Sequence, residues 1–170
     1  MELMDLLKQR YSLRQFSPKK VEREKIDAVL AAARLAPTAV NYQPQKIYVL
    51  QSEDARRKLK GCTNYSFDAP LAFLVCYDKN ESWKRSYDGE DGGPADACIT
   101  TTQMMLMLVT LGLGSTWVGS FDPAAVSEAY GLAENIVPYA ILPAGYPAEG
   151  AQPSPKHDIR RPVEEIARFL

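Results

Sequence analysis

Apolar positions fall into two rhythms along this chain, one repeating every three to four residues and one forming short extended runs. The helical rhythm appears first over residues 1–8, with Leu3, Leu6 and Leu7 on one side. It returns over residues 22–35, with Ile26, Val29, Leu30 and Ala33 at helical spacing. Pro37 disfavours the α conformation at Ala36 and predicts the end of that helix. Ser52 is placed to cap a helix over 52–59 that Gly61 would close, and Gly131 is placed to close another over 124–130. Extended runs are expected at 46–51, 71–77, 115–119 and 137–142. The run at 71–77 is apolar at almost every position, which predicts a central strand covered on both faces.

The longest apolar stretch runs from Gly93 to Asp122 and organises the rest. Pro94 suits a first helical position, where its missing N–H costs nothing. Residues 104–109 are then apolar without a break, and Gly112 and Gly114 end the helix before the third strand. A surface helix shows one apolar stripe, so this helix is expected to be buried on most sides, under a sheet on one side and a second subunit on the other. Thr100, Thr101, Thr102 and Gln103 break the run well short of the ~20 residues of a membrane span. Helices alternating with about four strands predict a layered α/β or α+β domain.

Composition narrows the partners. A chain of 170 residues fits one domain of about 100–200. With 20 basic and 21 acidic residues, nothing favours nucleic acid or an anionic membrane. Cys62, Cys76 and Cys98 lie far apart and read as reduced, buried thiols rather than a disulfide or metal site. A single histidine, His157, leaves no room for a histidine pair or a metal cage. The first residues lack a signal peptide's basic start and long apolar run, so the expected location is the cytoplasm. Residues 148–162 are polar and Pro-rich, yet they lead into apolar Val163, Ile166, Ala167, Phe169 and Leu170, an arm expected to dock on its own body or on a partner. Glycine motifs for dinucleotides, nucleoside triphosphates and serine hydrolases are absent.

Two segments carry candidate chemistry. If extended, Arg10-Tyr11-Ser12-Leu13-Arg14 turns two guanidinium groups and a hydroxyl to one face, which makes either an anion clamp or a solvated basic edge. In the loop at 37–44, Asn41 and Gln43 carry donors and acceptors able to read a heteroaromatic edge, although the same residues serve as turn formers. The polar stretch at 78–93 reads as a mobile excursion. Its Trp83 and Tyr87, with Tyr65 before it, either line a pocket or pack as ordinary aromatics.

Taken in order, five stretches resemble the FMN-dependent nitroreductase family, as a small, short-lid member. They are Arg10–Arg14, Ala36–Pro44, Asp96-Ala97 with Gly112–Gly119, Gly145-Tyr146-Pro147, and Arg160-Arg161-Pro162-Val163-Glu164-Glu165-Ile166. The resemblance spans nearly the whole chain. It implies an α+β, three-layer α/β/α fold with a mixed, mainly antiparallel sheet of four to five strands. It also implies a homodimer that exchanges a C-terminal arm, residues 148–170, and binds FMN tightly but non-covalently at the subunit interface. Residue by residue, Arg10, Tyr11, Ser12 and Arg14 match the first FMN motif, with Arg10 and Ser12 on phosphate and ribityl oxygens and Arg14 near the ring's N1 and O2 edge. Pro37, Thr38, Ala39, Asn41 and Gln43 match the loop that reaches the flavin from the other subunit. Thr116, Trp117, Val118 and Gly119 match the N5 side, where an N–H from Val118 or Gly119 is expected at N5. Arg160 or Arg161 matches the tail arginine of the phosphate site.

The implied reaction is ping-pong hydride transfer from NADPH or NADH through FMN to a small oxidised acceptor, such as a nitroaromatic or a quinone, with no catalytic side chain. Other readings are a flavin-fragmenting or dehalogenating relative, an FMN carrier or redox sensor without efficient turnover, and a protein that binds no flavin. Gln45 stands where the family often has tryptophan, and the excursion at 78–93 is shorter than the helical cover of larger members.

Overall fold

The computed structural model describes residues 2–170. The expected first helix began at Met1, which lies outside the described residues, and α1 covers Leu3–Gln9. It is followed by α2 (Arg23–Arg34), β1 (Gln45–Leu50), α3 (Glu53–Cys62), β2 (Leu71–Asp78) and α4 (Gly93–Thr110). The chain then forms β3 (Gly114–Ser115), α5 (Pro123–Tyr130), β4 (Ile136–Gly145) and α6 (Val163–Ile166). The sheet runs β1-β2-β4-β3, with every ladder antiparallel. The fold is α+β in three layers. Among the described residues the sheet has four strands, and its mixed character amounts to one isolated parallel bridge between Ser12 and Ser115.

Alternation along β2 builds both cores. Leu71, Phe73 and Val75 face Ile26, Val29 and Ala33 of α2 and Ala97, Met104 and Leu108 of α4. Ala72, Leu74 and Cys76 face the other layer, with Leu59 of α3 and Val126 of α5. All eight residues of β2 are buried, as its unbroken apolar run predicts. Burying each large side chain contributes about 1.5–3 kcal/mol. Ser52 caps α3 through Ala55 N–H at 3.1 Å, and Gly131 closes α5 at φ 61°. Gly61 does not end α3, which continues to Cys62; burial of Cys62 in the second core outweighs the cost of a helical glycine, about 0.5–1 kcal/mol.

The third strand is shorter than the expected 115–119, and its partner explains why. Thr116 donates its N–H to the Pro143 carbonyl at 3.2 Å, but proline has no N–H to return. Pairing resumes only at Val118, which exchanges bonds of 2.9 and 3.0 Å with Ile141. The expected excursion at 78–93 is a compact hairpin instead. Lys84 bridges to Asp91, both contact Ser82, and Arg85 pairs with Asp88 and Glu90.

Three apolar surfaces stay open. Ile99 on α4 is 41% exposed, with Leu106 and Val109 half-buried on the same side, so α4 is covered by the sheet on one side only. Leu3, Met4 and Leu7 of α1 are exposed. So are Ile159, Val163, Ile166, Phe169 and Leu170, so the apolar end of the arm does not dock on its own body. Among the described residues no helix is long and apolar enough to cross a membrane.

All three cysteines are free. Burial pushes the Cys76 thiol up to about 12, so it stays protonated at neutral pH. A thiol titration under native conditions should leave Cys76 unmodified, and denaturant should expose it. Reaction of native Cys76 within minutes would contradict its place in the core.

Candidate functional site

Leu13 anchors the site. Its side chain is buried, its N–H donates to the Ser115 carbonyl at 3.0 Å, and Ser12 bridges to Ser115. Gly114 makes this approach possible, because a Cβ there would lie 2.5 Å from Leu13 Cδ2 and 3.0 Å from Leu13 Cβ. With Leu13 turned inward, its neighbours Ser12 and Arg14 turn outward. They line a cavity of about 280 Å³ with Arg10 and Tyr11 on one side and Ser154, Lys156, His157 and Arg160 of the tail on the other. Strict alternation would turn Tyr11 away from Arg10 and Ser12, but it lines the same cavity, edge-on to His157 at 6.2 Å. His157 also lies 3.0 Å from the Lys8 carbonyl through Nε2, which holds the tail against the end of α1. Arg160 turns toward the cavity and bonds the carbonyls of His157 and Ile159. Arg161 does not line it.

Four cations and three hydroxyls line this cavity, and no carboxylate does. Such a donor set is built for an anion with several acceptor oxygens, and it fits a phosphate. Sequence reasoning missed Lys156, His157 and Ser154. The only signal was their position in a polar, Pro-rich tail between two conspicuous segments.

A second cavity, of about 230 Å³, shares Arg14 with the first. Its walls are Tyr65 and Phe67 on one side and residues 116–120 on the other. The two rings pair at 6.1 Å, and Trp117 sits edge-on to Tyr139 at 6.1 Å. Phe67 and Asp68 hold φ of 52° and 49°, a left-handed pair that turns Phe67 into this wall. Thr116 and Val118 are buried, and Val118 N–H is committed to Ile141. Of the two N–H groups expected at flavin N5, Gly119's is therefore the one that remains. Of the three candidate aromatics, Tyr65 lines this cavity, and Trp83 and Tyr87 line neither. Phe67 and Ser120 were not anticipated.

The 37–44 loop is held apart from both cavities. Pro37, Thr38, Ala39, Asn41 and Gln43 line neither of them. The loop is strained: Val40, Asn41 and Gln43 have φ of 54°, 57° and 54°. Thr38 Oγ1 accepts the Gln43 N–H at 3.1 Å, and Gln43 Nε2 donates to the Asn41 carbonyl at 3.2 Å. Asp96 Oδ1 accepts the Ala39 N–H at 2.9 Å. A β-branched residue in the left-handed region costs of order 1–3 kcal/mol and persists where the surroundings impose it. Val40 is 67% exposed, so its side chain recovers little of that cost. Val40→Asn, which suits the conformation, should stabilise the chain by about 1 kcal/mol, or about 2–4 °C in Tm. A lower Tm in this variant would show that the conformation is not strained.

The geometry unites three of the predicted groups (residues 10–14, residues 116–119 and Arg160) and leaves the fourth outside. The sequence model of the Nitroreductase family matches residues 7–65 and 62–146. The chain belongs to the nitroreductase family. A nitroreductase family protein from Clostridium difficile 630 is 40% identical in sequence, with a TM-score of 0.94, over 99% of this chain and 98% of that one. An FMN reductase from Bacillus subtilis 168, named with NAD(P)H as its donor, is 24% identical over 91% of this chain and 70% of its own length. A structure from Exiguobacterium sibiricum 255-15, solved in complex with FMN, has a TM-score of 0.88 at 20% identity over 100% of this chain and 98% of that one, which shows a shared fold. Among the described residues, no three His, Cys, Asp or Glu side chains form a group able to hold a metal ion.

Proposed function

We propose that residues 1–170 form one FMN-binding domain of a homodimeric, NAD(P)H-dependent oxidoreductase. The observation that carries this reading is the pair of cavities joined at Arg14, cationic at one end and aromatic at the other. That layout matches a phosphate linked to a planar ring. Arg10, Ser12, Lys156 and Arg160 would hold the phosphate, with Tyr11 and His157 walling the site. Arg14 would set a positive charge beside the ring, where reduction places negative charge. Gly119 N–H would face the ring, and Trp117, Tyr65 and Phe67 would wall off water. Bound there, FMN supplies two-step hydride transfer from NADPH or NADH to a nitroaromatic, quinone or similar acceptor. No side chain is assigned as a catalytic acid or nucleophile. The names of the relatives support both the flavin and the donor.

The dimer is supported by the open surfaces of α1, α4 and the arm, and by the position of the 37–44 loop outside its own chain's cavities. A second copy would cover the first and bring the loop to a partner's site, with the arm crossing between subunits. The deciding experiment is an absorbance spectrum of the purified protein, followed anaerobically as NADPH or NADH is added. Flavin bands that bleach within seconds are the expected result. Bands that persist would make the protein a carrier or sensor. A colourless protein that ignores added FMN would sink the reading.

A further inference from the structure

We infer that Asp96 is the positioning residue for the 38–43 loop and sets the flavin environment through it, an inference that rests on the FMN reading above. Asp96 stands in the first turn of α4, 2% exposed. Its Oδ1 takes the Ala39 N–H at 2.9 Å, from a residue 57 positions away. Its Oδ2 has no partner among the described residues. A buried carboxylate with a single partner is a costly way to fill space, and an apolar side chain would pack there at less cost. The bond ties a strained loop to the body. Val40, Asn41 and Gln43 all sit at positive φ, and the Thr38–Gln43 bond only closes the loop upon itself. Trp83 seats the same corner: a Cβ on Gly92 would lie 3.1 Å from its ring and 3.8 Å from Ala39 Cβ. With Ala39 fixed, Thr38, Asn41 and Gln43 present their polar groups in one arrangement.

The test uses the flavin-loaded protein and reads FMN affinity by fluorescence titration, together with the visible circular dichroism of the bound flavin. Asp96→Ala should weaken FMN about tenfold and change the dichroism, on the scale of one hydrogen bond to a charged group. Asp96→Asn keeps an oxygen in place and should stay within about threefold of wild type. Ala39→Pro removes the donor instead; Thr38 is already extended, at φ −130° and ψ 157°, as a following proline requires. It should reproduce the Asp96→Ala loss, and the double variant should bind no worse than either single one. Wild-type affinity and dichroism in Asp96→Ala would overturn the inference. So would additive losses in the double variant, or a weak Asp96→Asn with only a lower Tm. If Asp96→Ala fails to fold, Ala39→Pro decides alone, and wild-type affinity there overturns the inference. A wild-type protein that takes up no FMN would fell the FMN reading itself, and the inference with it. Flavin uptake with an indifferent Asp96→Ala would fell the inference alone.

Discussion

Arg10→Ala is expected to weaken FMN binding about 10- to 150-fold, the range set by the ~1.5–3 kcal/mol carried by a hydrogen bond to a charged group. Arg10 is half-buried at the end of α1, where its own N–H closes the helix on Leu6 O. Its side chain therefore projects into the cavity from a fixed backbone. Arg160 lines the same cavity from an exposed tail, so Arg160→Ala should cost less than Arg10→Ala. Arg161→Ala should leave affinity unchanged, since Arg161 lies outside the cavity and shares only composition with its neighbour. Arg14→Ala should weaken binding too and lower the reduction potential of the bound flavin, because Arg14 lines both cavities. Affinity measured by fluorescence titration should fall as salt rises in wild type, and fall less steeply in Arg10→Ala. Unchanged affinity in both Arg10→Ala and Arg14→Ala would remove the phosphate assignment.

Local chemistry was legible wherever it decided the outcome. Pro37 stops α2, Ser52 caps α3, and the unbroken apolar run of β2 implies two covered faces; each follows from a few adjacent residues. Features decided by distant partners were not legible. Nothing near Val118 indicates that its N–H is taken, because Ile141 takes it and Pro143 shapes the gap beside it. Lys156 reaches the cavity because its neighbour His157 meets the Lys8 carbonyl, a contact across 149 positions in a segment with no periodicity. Tyr65, Trp83 and Tyr87 are alike as aromatics in polar surroundings. The Lys84–Asp91 bridge forms a hairpin that leaves Tyr87 at its exposed tip, while the left-handed turn at Phe67 and Asp68 carries Tyr65 to the second cavity. The 37–44 loop announces its polar groups in sequence, but sequence cannot say whose cavity they serve. Its strained backbone and its absence from the walls of its own chain's two cavities are three-dimensional facts.

Gly114→Ala should lower both stability and FMN affinity, although it alters no residue of the cationic cavity. The added Cβ would meet Leu13 Cδ2 at 2.5 Å, Cβ at 3.0 Å and Cγ at 3.3 Å. Rotating the leucine tip relieves the first contact but not the second, and a side chain only 1% exposed has little room to rotate. The remaining relief is to lift residues 12–14 away from β3, at the expense of the Leu13–Ser115 bond and the Ser12–Ser115 bridge. Overpacking of this kind costs about 1–3 kcal/mol, or about 2–4 °C in Tm for each kcal/mol. Because Ser12 and Arg14 ride on the same backbone, the clamp moves with Leu13, and affinity should fall several-fold. Met104→Ala separates the two effects. It removes a buried side chain of α4 that lines neither cavity, so it should lose about 2–5 kcal/mol of stability while the folded protein keeps wild-type affinity. Pairing Gly114→Ala with Leu13→Val returns room at the contact, so the double variant should lose less than the sum of the singles and recover part of the affinity. If Gly114→Ala lowers Tm but binds FMN like wild type, the clamp does not depend on Leu13 for its position, and Arg10 with the tail must fix the phosphate end alone.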